Sequence, residues 1–160
     1  MKLAITGHRP DKLDDLGHTY SAIGRALVSL DPEYMYQGMA PGGDLLAWYA
    51  ASALKIPTQS VLPYAGHRDM VKGEFWLKLW DLASTKSDSV ETLSDSLTYP
   101  GHWCMHNRNR YMVDHADQVL AIWDGSESGG TWSTVKYART KGKPINIVDP
   151  VDYEIYLADY

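Results

Sequence analysis

Short apolar runs alternate with helical patterns along most of this chain of 160 residues. Such alternation is typical of βαβ units, in which successive strands run parallel and helices pack against the sheet. The pattern therefore predicts an α/β fold with an open, mostly parallel sheet of five or six strands and helices on both faces. The length fits one domain, which we predict to span residues 1–160.

The predicted strands are residues 2–5, 34–37, 59–62, 118–123 and 145–148, with residues 90–93 as a short strand or a loop. The predicted helices are residues 20–30, 44–54, 70–83, 102–115 and 131–141. Residues 149–160 hold four acids and no base, and we predict a short surface helix or a tail that covers a partner. Ligands of open parallel sheets bind at the carboxyl ends of the strands, so the turns that follow the strands form the candidate site.

The net charge of −5 is spread along the chain, with a balance of −3 in residues 1–100 and −2 in residues 101–160. Because neither part is basic, nucleic-acid binding as the main task is disfavoured, although a few local donors can still hold a small anion. The single cysteine, Cys104, excludes an intrachain disulfide and fits the cytoplasm. No signal peptide and no membrane-length apolar run is visible, so we expect no membrane partner.

The turn after the first strand reads Thr6-Gly7-His8-Arg9-Pro10. Glycine allows a ligand to approach the backbone closely, and arginine can bind a phosphate or carboxylate with two nitrogens. We therefore name Thr6, Gly7, His8 and Arg9 as candidate ligand-binding residues. The alternative is an ordinary turn with a surface arginine.

The turn after the second strand runs from Gly38 to Asp44 and holds three glycines. Asp44 is placed as a helix N-cap, which is a structural role. Three glycines exceed what a cap needs, so we favour a ligand lying against this backbone. Gly38, Met39 and Asp44 are the candidate residues of this turn.

The turn after the most apolar strand reads Asp124-Gly-Ser-Glu-Ser-Gly-Gly-Thr131. Gly129, Gly130 and Thr131 would direct backbone N–H groups and a hydroxyl at an anion on the N-terminus of the following helix. We predict that a phosphate lies here, with Arg108 or Arg9 beside it. The alternative is a flexible polar loop.

The helix before that strand carries an apolar stripe with Asn109 in its middle. Arg108 flanks the stripe, and either residue needs hydrogen-bond partners if it is buried. The two readings are a structural network and an Arg108 side chain that faces the ligand. His102 and His106 have the spacing of two metal ligands on a helix, but no third ligand matches, so we predict neither a metal nor a cofactor.

Four segments in this order resemble one family: TGHRP, GMAPGGDLLAWYAA, RNRYMVDHAD and VLAIWDGSESGGTWSTVKYARTKGKPI. Together they are similar to the SLOG superfamily, which joins LOG phosphoribohydrolases, SMF-type DNA-processing proteins and other Rossmann-like nucleotide-binding proteins. The resemblance covers nearly the whole chain, least clearly residues 64–100. It implies a Rossmann-like fold and, since many relatives pair through their helices, a homodimer.

In LOG enzymes an arginine and a glutamate act at the N-glycosidic bond of a nucleoside 5′-monophosphate. Arg108 matches that arginine, Asn109 stands in the place of a lysine, and Thr134 stands where the glutamate would be. The resemblance therefore implies a phosphate-binding turn without the usual catalytic carboxylate. The SMF-type relatives bind single-stranded DNA, an option that the acidic balance of this chain disfavours.

The resulting hypothesis is a binding protein or sensor for a nucleotide or a nucleotide-derived signal. The alternative is a nucleotide N-glycosidase that releases base and ribose 5-phosphate, with Arg108, Asp44 and Glu74 as the nearest candidates for catalytic groups. The two hypotheses share the candidate site and differ in whether a carboxylate reaches the ligand.

Overall fold

The computed structural model describes residues 1–159 and contains one seven-stranded sheet. The strands are β1 (Lys2–Gly7), β2 (Tyr34–Gln37), β3 (Thr58–Leu62), β4 (Ser89–Thr92), β5 (Gln118–Ile122), β6 (Ile145–Val148) and β7 (Ile155–Leu157). The helices are α1 (Leu16–Leu30), α2 (Gly43–Ala53), α3 (Glu74–Lys86), α4 (Trp103–His115) and α5 (Gly129–Thr140). Short 3-10 helices cover Pro10–Lys12 and His67–Met70.

The strand order is β4-β3-β2-β1-β5-β6-β7, and every neighbouring pair is parallel except β6 and β7. β1 therefore lies in the middle of the sheet, between β2 and β5. The chain reverses its direction of winding at β1, and in open α/β sheets the ligand crevice lies at such a point. The predicted Rossmann-like α/β fold with a mostly parallel sheet is confirmed.

Helices cover both faces of the sheet because the central strands are apolar on both sides. Leu3 and Ile5 of β1 face the core formed by α1, α2 and α3. Ala4, between them, faces the second core with α4 and α5. The strand that sequence marks as most apolar, β5, is buried at every position from Val119 to Ile122.

Three predicted elements differ from the structure. The helix predicted from residue 20 begins already at Leu16, after the N-cap Asp15. The tail is not a surface helix: residues 155–157 form β7, which pairs antiparallel with β6 and leaves its side chains exposed. The helix predicted from residue 70 begins only at Glu74, because His67–Met70 forms a separate 3-10 turn and Gly73 has a φ of +91°. Residue 160 of the predicted tail lies outside the described residues. None of the helices in residues 1–159 combines the length and apolar character needed to span a membrane.

Candidate ligand-binding cleft

A cleft of about 290 Å³ opens above the carboxyl ends of β1 and β5. This volume lies just below the range of roughly 300–1,000 Å³ that ligand pockets occupy. Ten of the residues predicted from sequence line it: Thr6, Gly7, His8, Arg9, Asp44, Arg108, Asn109, Gly129, Gly130 and Thr131. The parallel strands bring these residues together, because the turns after β1, β2 and β5 lie at one edge of the sheet. Arg108 and Asn109 lie on α4, beside that edge.

The N-terminus of α5 forms one side of the cleft and lacks a side-chain cap. Ser128 is the N-cap residue, but its hydroxyl makes no capping hydrogen bond. A Cβ atom added to Gly129 or Gly130 would meet no atom within 4 Å, so space is open in front of both. Gly129 also has a φ of +86°, a conformation that glycine adopts without strain. The first turn of α5 therefore presents free N–H groups and open space to an anion.

The glycines of the second turn have a different role from the predicted one. Gly43 donates its N–H to the carbonyl of His8 (3.0 Å), and a Cβ on Gly43 would lie 2.9 Å from the Cα of Gly7. A Cβ on Gly42 would clash with the same His8 carbonyl. These glycines let α2 pack directly against the turn after β1. A ligand is not needed to explain them, and Gly38 and Met39 do not line the cleft.

Arg108 is almost fully buried, with 4% of its surface exposed, at the base of the cleft. Its Nη1 donates to the carbonyl of Gly38 (2.9 Å), and its Nε donates to Oδ1 of Asn109 (3.2 Å). A side chain on Gly38 would collide with this guanidinium, which explains the glycine there. Of these two polar residues of α4, Arg108 is the buried one, whereas Asn109, predicted to lie in the middle of the buried face, is only partly buried.

Asp44 lies near Arg108 and is also buried. The prediction that Asp44 is the N-cap of α2 is wrong, because Gly42 has that position. Oδ2 of Asp44 instead accepts a hydrogen bond from the N–H of Ala40 (3.3 Å). Burial raises the pKa of this carboxyl, although the positive charges of Arg108 and Arg9 oppose the rise. Burial likewise lowers the pKa of Arg108, against the attraction of Asp44. The two groups compensate each other beneath the cleft, so the positive charge of Arg108 is only partly available to a ligand.

Two further cations stand at the rim of the cleft. Arg9 and Lys12 are exposed, and neither makes an ion pair among the described residues. Lys12 was not predicted, because the 3-10 turn that places it beside Arg9 is not evident from sequence. Asp11 also lines the cleft, so the rim carries two positive charges and one negative charge.

His8 lines the cleft, but its ring serves to join two strand ends. Its Nε2 lies 2.8 Å from Oδ1 of Asp124, which follows β5. Burial would raise the pKa of Asp124, yet hydrogen bonds from Ser126 and His8 outweigh it and lower that pKa. The carboxylate therefore stays ionised and holds the loops after β1 and β5 together.

The structure brings no catalytic carboxylate to the place expected for glycosidic cleavage. Thr134 is buried and donates its hydroxyl to the carbonyl of Gly130 (2.9 Å). Glu74, predicted as a candidate, is exposed at the start of α3 and does not line the cleft. Glu74 is far in sequence from the three turn motifs, so its position relative to the cleft could not be predicted. Asp44 is the only predicted carboxylate at the cleft.

Two histidines complete the wall formed by α4. His102 and His106 line the cleft with their rings 4.8 Å apart and almost perpendicular. Their helical spacing was visible in the sequence, but only a metal role was weighed for them. No group of three or more possible metal-ligating side chains occurs in residues 1–159.

Comparison with known proteins agrees with this fold. No family model matches the chain. A segment of 35 residues is 46% identical to the uncharacterized SPbeta prophage-derived protein YoqJ of Bacillus subtilis (strain 168), spanning 22% of this chain and 20% of that protein. The structural likenesses extend much further along the chain.

DNA processing protein A from Helicobacter pylori, described in a single-stranded DNA binding mode, matches 93% of this chain at a TM-score of 0.66 and 21% identity. Its counterpart from Streptococcus pneumoniae matches 92% at a TM-score of 0.60 and 19% identity. The protein TM1055 matches 90% at a TM-score of 0.56 and 16% identity. The chain spans 65%, 50% and 71% of these three proteins, respectively.

These neighbours define the class as a Rossmann-like α/β fold shared with DNA processing protein A. They also overturn one expectation from sequence. The prediction that disfavoured nucleic acid rested on the spread of charge, and it is wrong: a protein of this fold has a described mode of binding single-stranded DNA. Total charge is a poor guide because nucleic-acid binding depends on where cations stand locally.

Proposed function

We propose that the cleft binds the phosphate of a nucleotide unit, and that the chain is a nucleotide-binding member of the SLOG superfamily. The observation that carries the proposal is the first turn of α5, where uncapped N–H groups face open space at the carboxyl edge of the sheet. The motifs Thr6–Pro10 and Ser128–Thr131 and the shared fold support the family assignment.

The charges around the cleft favour an anionic ligand. Within residues 1–159, Arg9 and Lys12 at the rim form no ion pair, and Arg108 lies beneath them. An arginine that binds phosphate through charge-assisted hydrogen bonds contributes about 1.5–3 kcal/mol. The helix dipole adds about 0.3–1 kcal/mol when the site is exposed and up to about 2 kcal/mol when it is partly buried.

Binding is better supported than hydrolysis of a glycosidic bond. A glycosidase needs a carboxylate that can stabilise positive charge or activate water at the ligand. Asp44 is held beneath the cleft near Arg108, and its raised pKa favours the neutral acid more than in an ordinary aspartate. Thr134 cannot replace the missing carboxylate, because a hydroxyl is neither a base nor an anion at neutral pH.

The test of the proposal is the substitution Gly130→Val, measured by calorimetric titration with mononucleotides. A valine side chain would project into the space in front of the helix N-terminus, and the structure leaves room for it without an internal clash. We expect binding to be abolished while the circular dichroism spectrum and melting temperature stay close to those of the wild type.

Gly24→Val is the matched control. Gly24 also lies in a helix, and a Cβ atom added to it would meet no atom within 4 Å, but it is on α1, away from the cleft. It should keep wild-type affinity. Unchanged binding by a folded Gly130→Val protein would place the phosphate elsewhere and reject the proposed site.

A second candidate function is binding of a single-stranded nucleic acid, favoured by a basic surface on α4 and α5. Arg110 and Lys141 lie over the ring of Tyr137, and Lys136 and Arg139 lie over the ring of Trp132, all at 5.3–5.4 Å. Trp132 in turn stacks on Trp123 at 5.7 Å.

Cations interleaved with aromatic rings are the combination that single-strand binding sites use. The surface continues from the same helix whose N-terminus forms the cleft. A strand with one phosphate in the cleft could therefore extend along the basic surface of α5. The described single-stranded DNA binding mode of a protein with this fold supports this candidate.

A further inference from the structure

His102 and His106 form a cluster of titratable groups that the phosphate turn does not by itself require. Both line the cleft, and Nδ1 of His106 lies 3.4 Å from the hydroxyl of Ser133 on α5. Ser133 is one helical turn beyond Gly129, so His106 stands beside the uncapped first turn of α5. A phosphate bound to that turn would therefore lie close to the imidazole of His106.

We propose that the cleft selects a terminal phosphomonoester over a phosphodiester, and that His106, with His102 beside it, takes up a proton when the dianion binds. The inference rests on the proposed function and specifies its ligand: a free mononucleotide or the phosphorylated end of a strand. A monoester carries up to two negative charges near neutral pH, whereas a diester carries one. Only the monoester therefore has a second negative charge that can balance the positive charge of a protonated His106.

The surroundings of His106 keep its imidazole neutral in the free protein. Burial lowers its pKa, and His102, Arg110 and Arg108 on the same helix lower it further. Since its ordinary value is 6.5, the ring is mostly uncharged at pH 7. A dianion placed beside it reverses this balance, because a nearby opposite charge favours the protonated form.

The other charged groups at the cleft come from two elements. The turn after β1 contributes Arg9, Lys12 and Asp11, and α2 contributes Asp44. In the region of α5 that faces His106, Ser133 is the contact, and it does not titrate at neutral pH. Cations predominate, so protonation of His106 without a ligand is opposed, and binding of the dianion supplies the compensating charge.

The experiment uses thymidine 5′-monophosphate as the monoester and the dinucleotide dTpdT as the diester. Titration calorimetry at pH 7 in two buffers of different ionisation enthalpy gives the number of protons taken up on binding. We expect net proton uptake with the monoester and none with the diester. An oligothymidine with and without a 5′-phosphate separates a strand end from a free nucleotide: tighter binding of the phosphorylated strand assigns the strand end as a ligand.

His106→Gln should weaken monoester binding about tenfold, the loss of one charge-assisted hydrogen bond, and leave diester binding within about twofold. It should also abolish the proton uptake, because the imidazole that takes up the proton is gone. His18→Gln is the control, because His18 is an exposed histidine on α1 paired with Asp15. Circular dichroism checks that each variant is folded.

Equal affinity for the two probes, or no proton uptake by the wild-type protein, would overturn this inference and leave the proposed phosphate site standing. Absence of binding by either probe would overturn the inference and the proposed function together. Proton uptake is measured on the wild-type protein, so this arm does not depend on any variant folding.

Discussion

His67 shows how a single buried side chain links the stability of this protein to pH. It lies in the 3-10 turn after β3 with 1% of its surface exposed, and its Nδ1 accepts the indole N–H of Trp80 (3.1 Å). Burial, reinforced by the charges of Arg108 and Arg9, lowers the pKa of His67 from 6.5 to about 3. The ring is therefore neutral in the folded protein across the physiological range.

A histidine whose pKa is lower in the folded state binds fewer protons there than in the unfolded chain. Its contribution to stability is complete above the unfolded pKa of 6.5 and is lost as the pH falls towards about 3. At about 1.4 kcal/mol per pH unit, it costs roughly 3 kcal/mol between pH 6.5 and pH 4.

His67→Gln removes this titration while keeping an acceptor for the N–H of Trp80. We expect the free energy of unfolding, from urea denaturation, to fall between pH 7 and pH 4 by roughly 3 kcal/mol less in the variant than in the wild type. Comparable losses in the two proteins would show that other groups govern the acid sensitivity.

At the scale of elements, the N-termini of α1 and α5 differ in a way that separates stability from binding. Asp15 caps α1 by accepting the N–H of His18 (2.9 Å). Ser128 occupies the same position on α5 without capping it. An uncapped helix end is less stable, but its N–H groups remain available to a ligand.

Ser128→Asp should therefore stabilise the protein and weaken ligand binding. A capping carboxylate contributes about 0.5–2 kcal/mol to stability, and the same carboxylate repels and competes with phosphate. Thermal unfolding without ligand and calorimetric titration with a mononucleotide measure the two effects. Ser128→Asn separates them, since it supplies a cap without a charge. A variant that gains stability and keeps its affinity would contradict a role for this helix end in binding.

The sequence predicted elements well where periodicity and turn residues agree. β2 and β6 have the predicted bounds, and the interior position of β5, next to the middle strand β1, follows from its uniformly apolar run. β7 was missed because its three side chains are all exposed, so no apolar alternation marks it as a strand. It exists through pairing with β6, a contact that no local pattern encodes.

The site was predictable to the extent that parallel strands bring their following turns to one edge. What the sequence could not tell is which glycines face a ligand and which face the protein. Gly43 and Gly130 both open a helix after a strand, yet one packs against Gly7 and the other faces open space. That distinction depends on how close α2 and α5 approach the turn after β1, which is a property of tertiary packing.

At the scale of the whole molecule, net charge and local charge lead to different expectations. The chain carries −5, yet Arg110, Lys136, Arg139 and Lys141 gather on one surface of α4 and α5. The predicted homodimer and the predicted single domain stay predictions. Binding of a single-stranded nucleic acid should depend on this local charge and not on the net charge, and that can be tested directly.

Lys136→Glu and Lys78→Glu lower the net charge equally, but only Lys136 belongs to the basic surface; Lys78 is exposed on α3. We expect Lys136→Glu to weaken binding of an oligothymidine of about 10 nucleotides by about tenfold and to lessen its salt dependence. Lys78→Glu should leave both nearly unchanged. Fluorescence anisotropy over a range of salt concentrations measures them, and equal effects of the two variants would reject the basic surface as the path of the strand.

The position of β1 in the middle of the sheet also has a consequence for synthesis on the ribosome. β1 precedes the other strands of the sheet in sequence, whereas its neighbour β5 begins only at Gln118. Until that part of the chain is made, one edge of β1 has no partner, and the side of the cleft that α5 forms is missing. The two sides of the cleft therefore first meet after α5 has been made, so a nascent chain truncated before α5 has no complete cleft and can bind no ligand there.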